Sequence, residues 1–394
     1  LRRSDKQSGQ FMKILFVTNV PSPYRVDFFN ELGKSVDLTV AFEKKRSTER
    51  KGQWKENAQG AFKAVFMKGI SVSTDHAFCL SVKKIIKKGK FDFIIISDYT
   101  SPTGILAARY MRKKGISYFL ESDGGLYRSG GGIKDRIKKY VFCGAAGFFS
   151  PRGKDDGYFT AYGVSPEKII RYPFTSAFEK DLAFAKEMRF LPNERKEELK
   201  KKLGITEKRV ILSVGRFTYL NGYGKGYDVL IKAAGKIASP DVGFYIVGGE
   251  PTEEFKKITA ESGLKNIHYV DYKDKTALSE YYAAADLFVL MTIGDVWGLV
   301  INEAAAFGLP IITTDKCVAG LELVKDGENG FIVKTGDDNA LKEKIDYILS
   351  DEKIMDSFGQ SSLEKIKNYS IEKMAAVHIA AIESYLKSER AEND

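Results

Sequence analysis

The chain has 394 residues, of which 43% are apolar and 29% charged, a composition that excludes disordered and fibrous proteins and predicts two or three domains. No apolar stretch approaches the roughly 18 residues of a membrane-spanning helix, and the three scattered cysteines favour neither a disulfide framework nor a thiolate metal site. The net charge of +10 is uneven, because residues 1–180 carry 33 Lys and Arg against 17 Asp and Glu, whereas residues 181–394 carry 29 against 35.

The first half of the chain alternates predicted strands with predicted helices. The strands are 13–20, 36–42, 91–97, 116–122 and 145–150, and the helices are 24–34, 80–89, 102–115 and 133–142. Strands that are apolar without alternation are typical of a parallel sheet covered by helices on both faces. We expect residues 1–11 to be an extension ahead of a start at Met12, and no signal-peptide pattern opens the chain.

A polar stretch of helical character, 179–208, interrupts this alternation and is expected to be a linker. A second set follows, with strands predicted over 209–217, 242–249, 266–272, 286–292, 309–314 and 329–334, and helices over 226–238, 251–263, 276–285 and 302–308. The expected domains are therefore 12–178 and 209–365, both Rossmann-like, doubly wound α/β domains with a cleft between them. A carboxy-terminal helix, 366–394, is expected to pack back on the first domain.

Several nucleotide-binding and catalytic motifs are absent from the sequence. The first βα turn, 18-TNVPSPYR-25, has no glycine, which excludes a dinucleotide-binding G-x-G-x-x-G loop. The run nearest to a P-loop, 222-GYGKGYD-228, lacks the hydroxyl residue after Lys225. There is no G-x-S-x-G elbow and no D-x-D pair, and no two of the three histidines have metal-ligand spacing. The sequence therefore predicts no metal site.

Two cations lie where the second half begins. The strand 210-VILSV-214 ends at Gly215-Arg216, and a glycine-rich loop carries Lys225 just before a helix. Arg216 can offer a bidentate fork and Lys225 a point charge, and the amino end of a helix adds its dipole, so this arrangement suits a diphosphate. A solvated surface Arg and Lys is the alternative.

A second cluster lies in 295-DVWGLVINE-303. Asp295 and Glu303 could accept hydrogen bonds from several hydroxyls, and the backbone amides of Trp297, Gly298 and Leu299 could face a phosphate between them. We expect Glu303 in the first turn of a helix, where its charge is favourable near the helix dipole, and that structural role is the alternative. Hydroxyls together with a diphosphate describe a nucleotide sugar.

These pieces resemble a known family. Gly215-Arg216…Lys225-Gly226-Tyr227-Asp228, Asp295-x7-Glu303 within 298-GLVINEAAAFGLPII-312, and 320-GLELVKDGENGFIV-333 are similar to the retaining glycosyltransferases of family 4, which have the GT-B fold. The resemblance runs from Met12 to the end and is strongest over 209–335. The opening 19-NVPSPYRVDFFNEL-32 also resembles polysaccharide-building members. The resemblance implies that a sugar is transferred from a UDP- or GDP-linked donor to a glycan or lipid-linked acceptor, without metal and with retention of configuration.

The resemblance also implies roles for single residues. Arg216 and Lys225 would bind the donor diphosphate, with Gly215 beside them; Glu303 would bind the ribose, Asp295 the donor sugar, and Tyr272 the base. The family usually has Glu where this chain has Asp295, which bears on donor-sugar identity, and the usual glycine of the first βα loop is missing. No cofactor besides the donor is implied. The mechanism would need no protein base, and the lack of an obvious His–carboxylate pair agrees with that.

The acceptor is expected in the first domain. The candidate acceptor-side residues are Tyr24, Arg25, Glu121 and Asp123, although 121-ESDGG-125 is also typical of plain turn chemistry. The basic patch Lys134, Arg136, Lys138 and Lys139 on helix 133–142 would contact an anionic membrane. Together with the basic helix 80–88, this patch predicts a cytoplasmic protein, peripheral on the inner face of the cytoplasmic membrane. Helices that merely cover the sheet are the alternative.

Two other functions remain open from the sequence. A sugar-nucleotide epimerase can share the GT-B architecture, but it would need catalytic carboxylates and a histidine in the cleft. A nucleic-acid-binding protein would use the basic half, yet the basic residues are not interleaved with aromatics as in known modules, so no nucleic-acid partner is predicted.

Overall fold

The computed structural model describes residues 11–46, 60–127, 130–217, 219–237 and 239–393. The expected extension, 1–11, therefore lies almost entirely outside the described residues. The chain divides into two units, one formed by Leu1–Ser176 with Ser370–Asp394 and the other by Ala177–Tyr369. The segment 179–208, expected to be a linker, forms two helices that belong to the second unit, so the linker prediction is wrong.

Within the described residues, the first unit holds a seven-stranded parallel sheet and a two-stranded hairpin. In chain order its strands are β1 Lys13–Thr18, β2 Asp37–Phe42, β3 Lys63–Phe66, β4 Ile70–Ser71, β5 Ala77–Phe78, β6 Phe93–Ile96, β7 Phe119–Glu121, β8 Gly147–Ser150 and β9 Ile169–Arg171. The sheet order is β3-β2-β1-β6-β7-β8-β9, and β4 pairs with β5 antiparallel. The order in which successive strands are added therefore reverses between β1 and β6, which makes this the topological switch point of the sheet.

Helices cover this sheet. They are α1 Pro23–Leu32, α2 Val82–Gly89, α3 Pro102–Lys114, α4 Ile133–Phe142 and α5 Gly157–Thr160, and the chain's last helix, Ile371–Asn393, packs against α1. Proline stands in the first turn of α1 and α3, where no backbone N–H is needed. The Ser101 side chain caps α3 by accepting from the Gly104 amide at 2.9 Å. Apolar residues of the central strand β1, from Ile14 to Val17, are fully buried.

The second unit repeats the plan with six parallel strands among its described residues. The strands are β10 Arg209–Val214, β11 Val242–Val247, β12 Ile267–Val270, β13 Leu287–Leu290, β14 Ile311–Thr314 and β15 Gly330–Val333, in the order β12-β11-β10-β13-β14-β15. Its helices are α6 Glu179–Arg189, α7 Asn193–Leu203, α8 Tyr227–Ala234, α9 Glu253–Ser262, α10 Lys275–Ala284, α11 Leu299–Ala306, α12 Val318–Leu323, α13 Asp338–Leu349 and α14 Glu352–Ile366. The final helix, α15, is Ile371–Asn393 of the first unit.

The predicted elements leave out several that the structure contains. β3, the β4–β5 hairpin, α5, β9 and α12 are each too short to show a periodic apolar pattern. The helices α13 and α14, of 12 and 15 residues, were also not predicted, although each is long enough to show such a pattern. The helix predicted to begin at residue 302 begins at Leu299. Among the described residues, no helix combines the length and the apolar character that membrane crossing requires.

Candidate active site

The residues singled out in the second unit converge on one edge of its sheet. All strands run parallel, so the loops that follow them lie at the same edge. Arg216 and Lys225 follow β10, and Asp295 follows β13. β10 and β13 are neighbours, and the order in which successive strands are added reverses between them. The candidate site therefore lies at the topological switch point, where doubly wound sheets bind ligands.

The two loops are joined by an ion pair. Lys225 Nζ lies 2.6 Å from Asp295 Oδ2, and these side chains are only 17% and 21% exposed. The Thr292 hydroxyl donates to the Gly224 carbonyl at 2.9 Å, and the Ile293 amide donates to the same oxygen at 3.2 Å. The loop after β10 is thus tied to the loop after β13. The structure therefore brings together Lys225 and Asp295, which the sequence predicted to lie in one site.

Glycine is required where these loops approach each other. Gly226, which precedes α8, has φ +68°, and a Cβ there would stand 2.0 Å from the Met291 carbonyl oxygen. Any side chain at this position would push the Lys225 loop away from β13. The sequence K-G before a helix therefore reflects close packing of the two strands' loops.

Arg216, in the loop that follows β10, is half-buried. Within the described part of the chain, its guanidinium has no hydrogen-bond or ion-pair partner. The preceding carbonyl, that of Gly215, accepts a hydrogen bond from the Tyr227 hydroxyl at 2.6 Å, which fixes the backbone at the end of β10. Arg216 is therefore a half-buried cation on a fixed backbone, and its donors remain available to an anion.

The loop before α11 presents backbone donors at the same edge. Asp295 and Trp297 are held against 316–319 by the bonds Asp295 N–H to Lys316 O and Ala319 N–H to Trp297 O, each 2.9 Å long. Gly298, at φ +105°, turns the chain into α11. In the described residues, the amides of Gly298 and Leu299 donate to no acceptor, as is usual for the first turn of a helix. The Trp297 side chain itself is buried and donates to Asn302 Oδ1 at 2.8 Å, so only its backbone remains a candidate contact.

Glu303 lies in the second turn of α11, so the prediction that it lies in the first turn is wrong. Its carboxylate is half-buried and accepts a hydrogen bond from the Tyr282 hydroxyl at 2.8 Å. Burial raises the pKa of Glu303, while the Tyr282 hydroxyl and the charge of Lys275 lower it in part. Tyr282 was missed from the sequence, because a tyrosine in an apolar helix is typical of plain core packing; its ring also stacks on Phe307 at 5.3 Å.

Tyr272 lies at the carboxyl edge but away from the ion pair. It follows β12, the edge strand, which β11 separates from β10. The strand ends at Val270, two residues earlier than predicted, and the Tyr272 side chain is 54% exposed. The role of Tyr272 at the nucleotide base stays a prediction.

The acceptor-side residues of the first unit form a buried network. Arg25 pairs with Glu121 Oε1 and lies 3.5 Å from Asp123 Oδ1, and the Tyr24 hydroxyl donates to Asp123 at 3.2 Å. His378 of α15 lies 3.4 Å from the other oxygen of Glu121. The structure thus brings all four predicted residues together and adds a histidine from the end of the chain.

Burial separates the roles of the two carboxylates. The Glu121 side chain is 0% exposed, so it cannot contact an acceptor, and the prediction that it orients one is wrong. Burial alone would raise the pKa of Glu121, but Arg25 and His378 lower it to about 2. The Asp123 side chain is 31% exposed, and burial raises its pKa although Arg25 opposes that effect. Asp123 therefore remains the accessible carboxylate of this network.

Each of the chain's three histidines faces a carboxylate. The distances are 2.8 Å for His76 to Asp98, 2.5 Å for His268 to Glu207 and 3.4 Å for His378 to Glu121. None of these pairs was obvious from the sequence. The partners come from different elements, so sequence spacing gave no signal. Among the described residues, no group of three or more His, Cys, Asp and Glu could hold a metal ion.

The basic patch on α4 is largely solvent-facing. Lys134, Arg136 and Lys139 are exposed, and the neighbouring Ile133 is 74% exposed. Lys138 differs, because it packs over the rings of Tyr158 and Tyr162 at 5.3 and 5.5 Å. Three of the four charges in the predicted patch are therefore exposed to solvent.

Parts of the chain are similar to known proteins. Residues 195–365 match the family model described as Glycosyl transferases group 1. An uncharacterized glycosyltransferase of Haemophilus influenzae is 31% identical over 44% of this chain and 49% of its own length. The capsular polysaccharide biosynthesis glycosyltransferase CapM of Staphylococcus aureus is 31% identical over 45% and 46%. The chain thus spans less than half of the length of these curated relatives.

Solved structures match over nearly the whole chain. Anabaena Alr3699/HepE in complex with UDP has a TM-score of 0.73 at 16% identity, covering 95% of this chain and all of that one. WaaG, a glycosyltransferase involved in lipopolysaccharide biosynthesis, has a TM-score of 0.65 at 17% identity, covering 93% and 99%. At such identities the likeness shows the fold alone. It confirms the predicted α/β class, with two Rossmann-like units of the GT-B fold.

Proposed function

We propose that this protein is a glycosyltransferase that moves a sugar from a nucleoside-diphosphate sugar to a hydroxyl of a glycan or lipid-linked acceptor. One observation carries the proposal: Arg216, which has no partner among the described residues, and the Lys225–Asp295 pair lie in loops at the switch point of the second unit, inside the segment that matches the family. Cations and free helix-start amides at one edge suit a diphosphate. The carboxylates beside them suit sugar hydroxyls.

The donor side follows from the same geometry. Arg216 and Lys225 would bind the diphosphate with the amides of Gly298 and Leu299, and Glu303 would accept from the ribose hydroxyls. We propose a UDP- or GDP-linked sugar, and HepE, whose fold is similar, has been solved with UDP and with UDP-glucose. Asp295 would then contact the donor sugar once the diphosphate has bound Lys225.

The chemistry proposed is transfer with retention of configuration and without metal. The leaving diphosphate carries the negative charge that develops, and Arg216 with Lys225 would stabilise it at its place of departure. Activity should therefore survive excess EDTA. Complete loss that magnesium restores would contradict metal independence, and the anomeric configuration of the product, read by NMR, tests retention.

The acceptor and the location are further parts of the proposal. Relatives named for lipopolysaccharide core and capsular polysaccharide biosynthesis support a glycan or lipid-linked acceptor. The exposed cations of α4, next to the exposed Ile133, suit an anionic surface such as the inner face of the cytoplasmic membrane. The family match favours transfer over the epimerase and nucleic-acid alternatives.

A nucleotide-binding experiment tests the proposal. UDP, GDP and their sugars are titrated by thermal shift and calorimetry, since a true donor stabilises the fold by mass action. Arg216→Ala should weaken binding by about 1.5–3 kcal/mol, the usual contribution of a charged hydrogen bond. Arg195→Ala is the matched control, because that arginine is 71% exposed on α7 and pairs only with its helix neighbour Glu198 among the described residues. Equal affinity in both variants and the wild type would refute the diphosphate site.

A further inference from the structure

Tyr282, on α10, lies next to the carboxylate that would bind the ribose. Its hydroxyl donates to Glu303 Oε2 at 2.8 Å, so this hydrogen bond joins α10 to α11. The other oxygen, Glu303 Oε1, receives no hydrogen bond from the described residues and is not one of their buried atoms. The carboxylate therefore has one oxygen that the protein holds and one that a ligand can reach.

The Tyr282 ring is fixed by its packing. Tyr282 is only 2% exposed, and its ring stacks on Phe307 at 5.3 Å and lies 5.9 Å from the ring of Phe288. Phe307 follows Glu303 by about one helical turn, and Phe288 lies in β13, the strand whose loop carries Asp295. Because the ring cannot move freely, its hydroxyl can hold the carboxylate in one orientation.

Few charged or titratable groups act on this pair. Burial raises the pKa of Glu303, the Tyr282 hydrogen bond lowers it in part, and the charge of Lys275 lowers it further. Lys275 is 69% exposed and pairs with Asp181 of α6 at 2.7 Å, so solvent screens its effect. Tyr227 of α8 is the other titratable group that acts on Tyr282 among the described residues. The Tyr282 hydroxyl is thus the buried group that favours ionised Glu303.

We propose that Tyr282 is a positioning residue for the nucleotide: its hydroxyl orients the Glu303 carboxylate so that Oε1 accepts from the ribose hydroxyls. Tyr282 is buried and acts through Glu303 alone. A carboxylate held at one oxygen loses less freedom when the ribose binds, and its ionised form accepts more hydrogen bonds than a protonated carboxyl group does. This inference rests on the proposed glycosyltransferase function, because it deepens the assignment of Glu303 to the ribose.

Tyr282→Phe tests this role, since it removes only the hydroxyl and keeps the ring that packs on Phe288 and Phe307. Calorimetry should show UDP and GDP binding about fivefold more weakly, with a smaller difference in affinity between each nucleotide and its 2′-deoxy form. Inorganic pyrophosphate, which has no ribose, should bind the variant and the wild type equally. Tyr281→Phe is the matched control, because Tyr281 is also buried on α10, but the charge near its hydroxyl is Glu280.

The pH profile of UDP binding separates positioning from plain packing. The Tyr282 hydroxyl favours ionised Glu303, so without it the carboxyl group takes up its proton at a higher pH. The loss of UDP affinity on acidification should therefore begin at a higher pH in Tyr282→Phe than in the wild type or in Tyr281→Phe. The phosphates of UDP titrate alike in all three titrations, so the difference between the profiles reports on Glu303.

A double variant completes the test. If Tyr282 acts through Glu303, Tyr282→Phe should weaken UDP binding in the wild-type background but not in the Glu303→Gln background. An equal loss in both backgrounds, an unshifted pH profile or wild-type UDP affinity in Tyr282→Phe would overturn the positioning role and leave the donor proposal standing. Absence of UDP and GDP binding by the wild type would overturn the donor proposal, and this inference with it.

Discussion

The proposed roles of Lys225 and Asp295 predict opposite effects on nucleotide binding when each residue is replaced. In the proposed reaction Lys225 binds the diphosphate and Asp295 binds the sugar, yet without a donor they bind each other at 2.6 Å. A diphosphate must therefore compete with the Asp295 carboxylate for the lysine. Replacing Lys225 removes the cation and leaves a carboxylate that repels the ligand, whereas replacing Asp295 by Asn frees the cation.

The magnitude follows from the burial of the pair. Because both side chains are about four-fifths buried, the contact is stronger than a surface ion pair of about 0–1 kcal/mol. Lys225→Met should cost about 2 kcal/mol in UDP binding, or roughly thirtyfold in Kd. Asp295→Asn should leave UDP affinity unchanged or slightly higher, and should strongly reduce transfer. The double variant should bind UDP better than Lys225→Met alone, because the repelling charge is gone.

Calorimetry with UDP and a nucleotide-release assay with UDP-glucose and UDP-galactose measure these effects. Asp295→Glu restores the residue common in the family and lengthens the side chain by one methylene, so it should change the ratio of kcat/KM between the two donors. A loss of UDP affinity in Asp295→Asn as large as in Lys225→Met would refute the division of roles. An unchanged donor ratio in Asp295→Glu would show that Asp295 does not select the sugar.

Three further predictions follow. Because the pKa of Glu303 is raised, wild-type UDP affinity should fall as the pH drops toward it, and Glu303→Gln should bind more weakly and lose this pH dependence, as calorimetry can show. The stability supplied by ionised Glu121 is complete above its ordinary pKa of 4.5 and is lost as the pH falls toward about 2. Glu121→Gln should lower the free energy of urea unfolding at neutral pH by about 3–5 kcal/mol and should reduce the loss of stability at acid pH. An equal loss of stability at acid pH in the variant and the wild type would contradict this role of Glu121. Binding of the protein to anionic vesicles should weaken at high salt, because salt screens the charges. It should also weaken when the three exposed cations of α4 are replaced by Gln, namely Lys134, Arg136 and Lys139. Equal binding to neutral vesicles would contradict the charge argument.

The sequence predicts most strands of the two large sheets and most helices between them, because buried parallel strands and amphipathic helices leave clear periodic patterns, but it missed the long helices α13 and α14. It also predicts that Arg216, Lys225 and Asp295 lie at one edge of the sheet, because each lies in a loop that follows a strand of one parallel sheet. The direct pairing of Lys225 with Asp295 could not be predicted, since both residues were assigned to ligands that the free protein does not contain.

The short elements and the distant partners were beyond sequence reasoning. The β4–β5 hairpin has two residues in each strand, too few for any pattern, yet its turn carries His76 to Asp98. Glu121 was expected to face a ligand, because nothing in 121-ESDGG-125 reveals that Arg25 and His378 enclose it. Burial of a charge depends on residues far away in the chain, and local sequence does not contain that information.

The return of α15 to the first unit has a consequence for biosynthesis. Residues 1–176 leave the ribosome before the second unit, but the helix that packs on α1 and supplies His378 is made after that unit. Until then, the inner side of Glu121 and the apolar face of α1 lack their cover, so the amino-terminal unit must wait as an incomplete intermediate while the contiguous second unit is synthesised and folds. A chain released before residue 370 would therefore expose an open core, a state that chaperones bind and proteases remove.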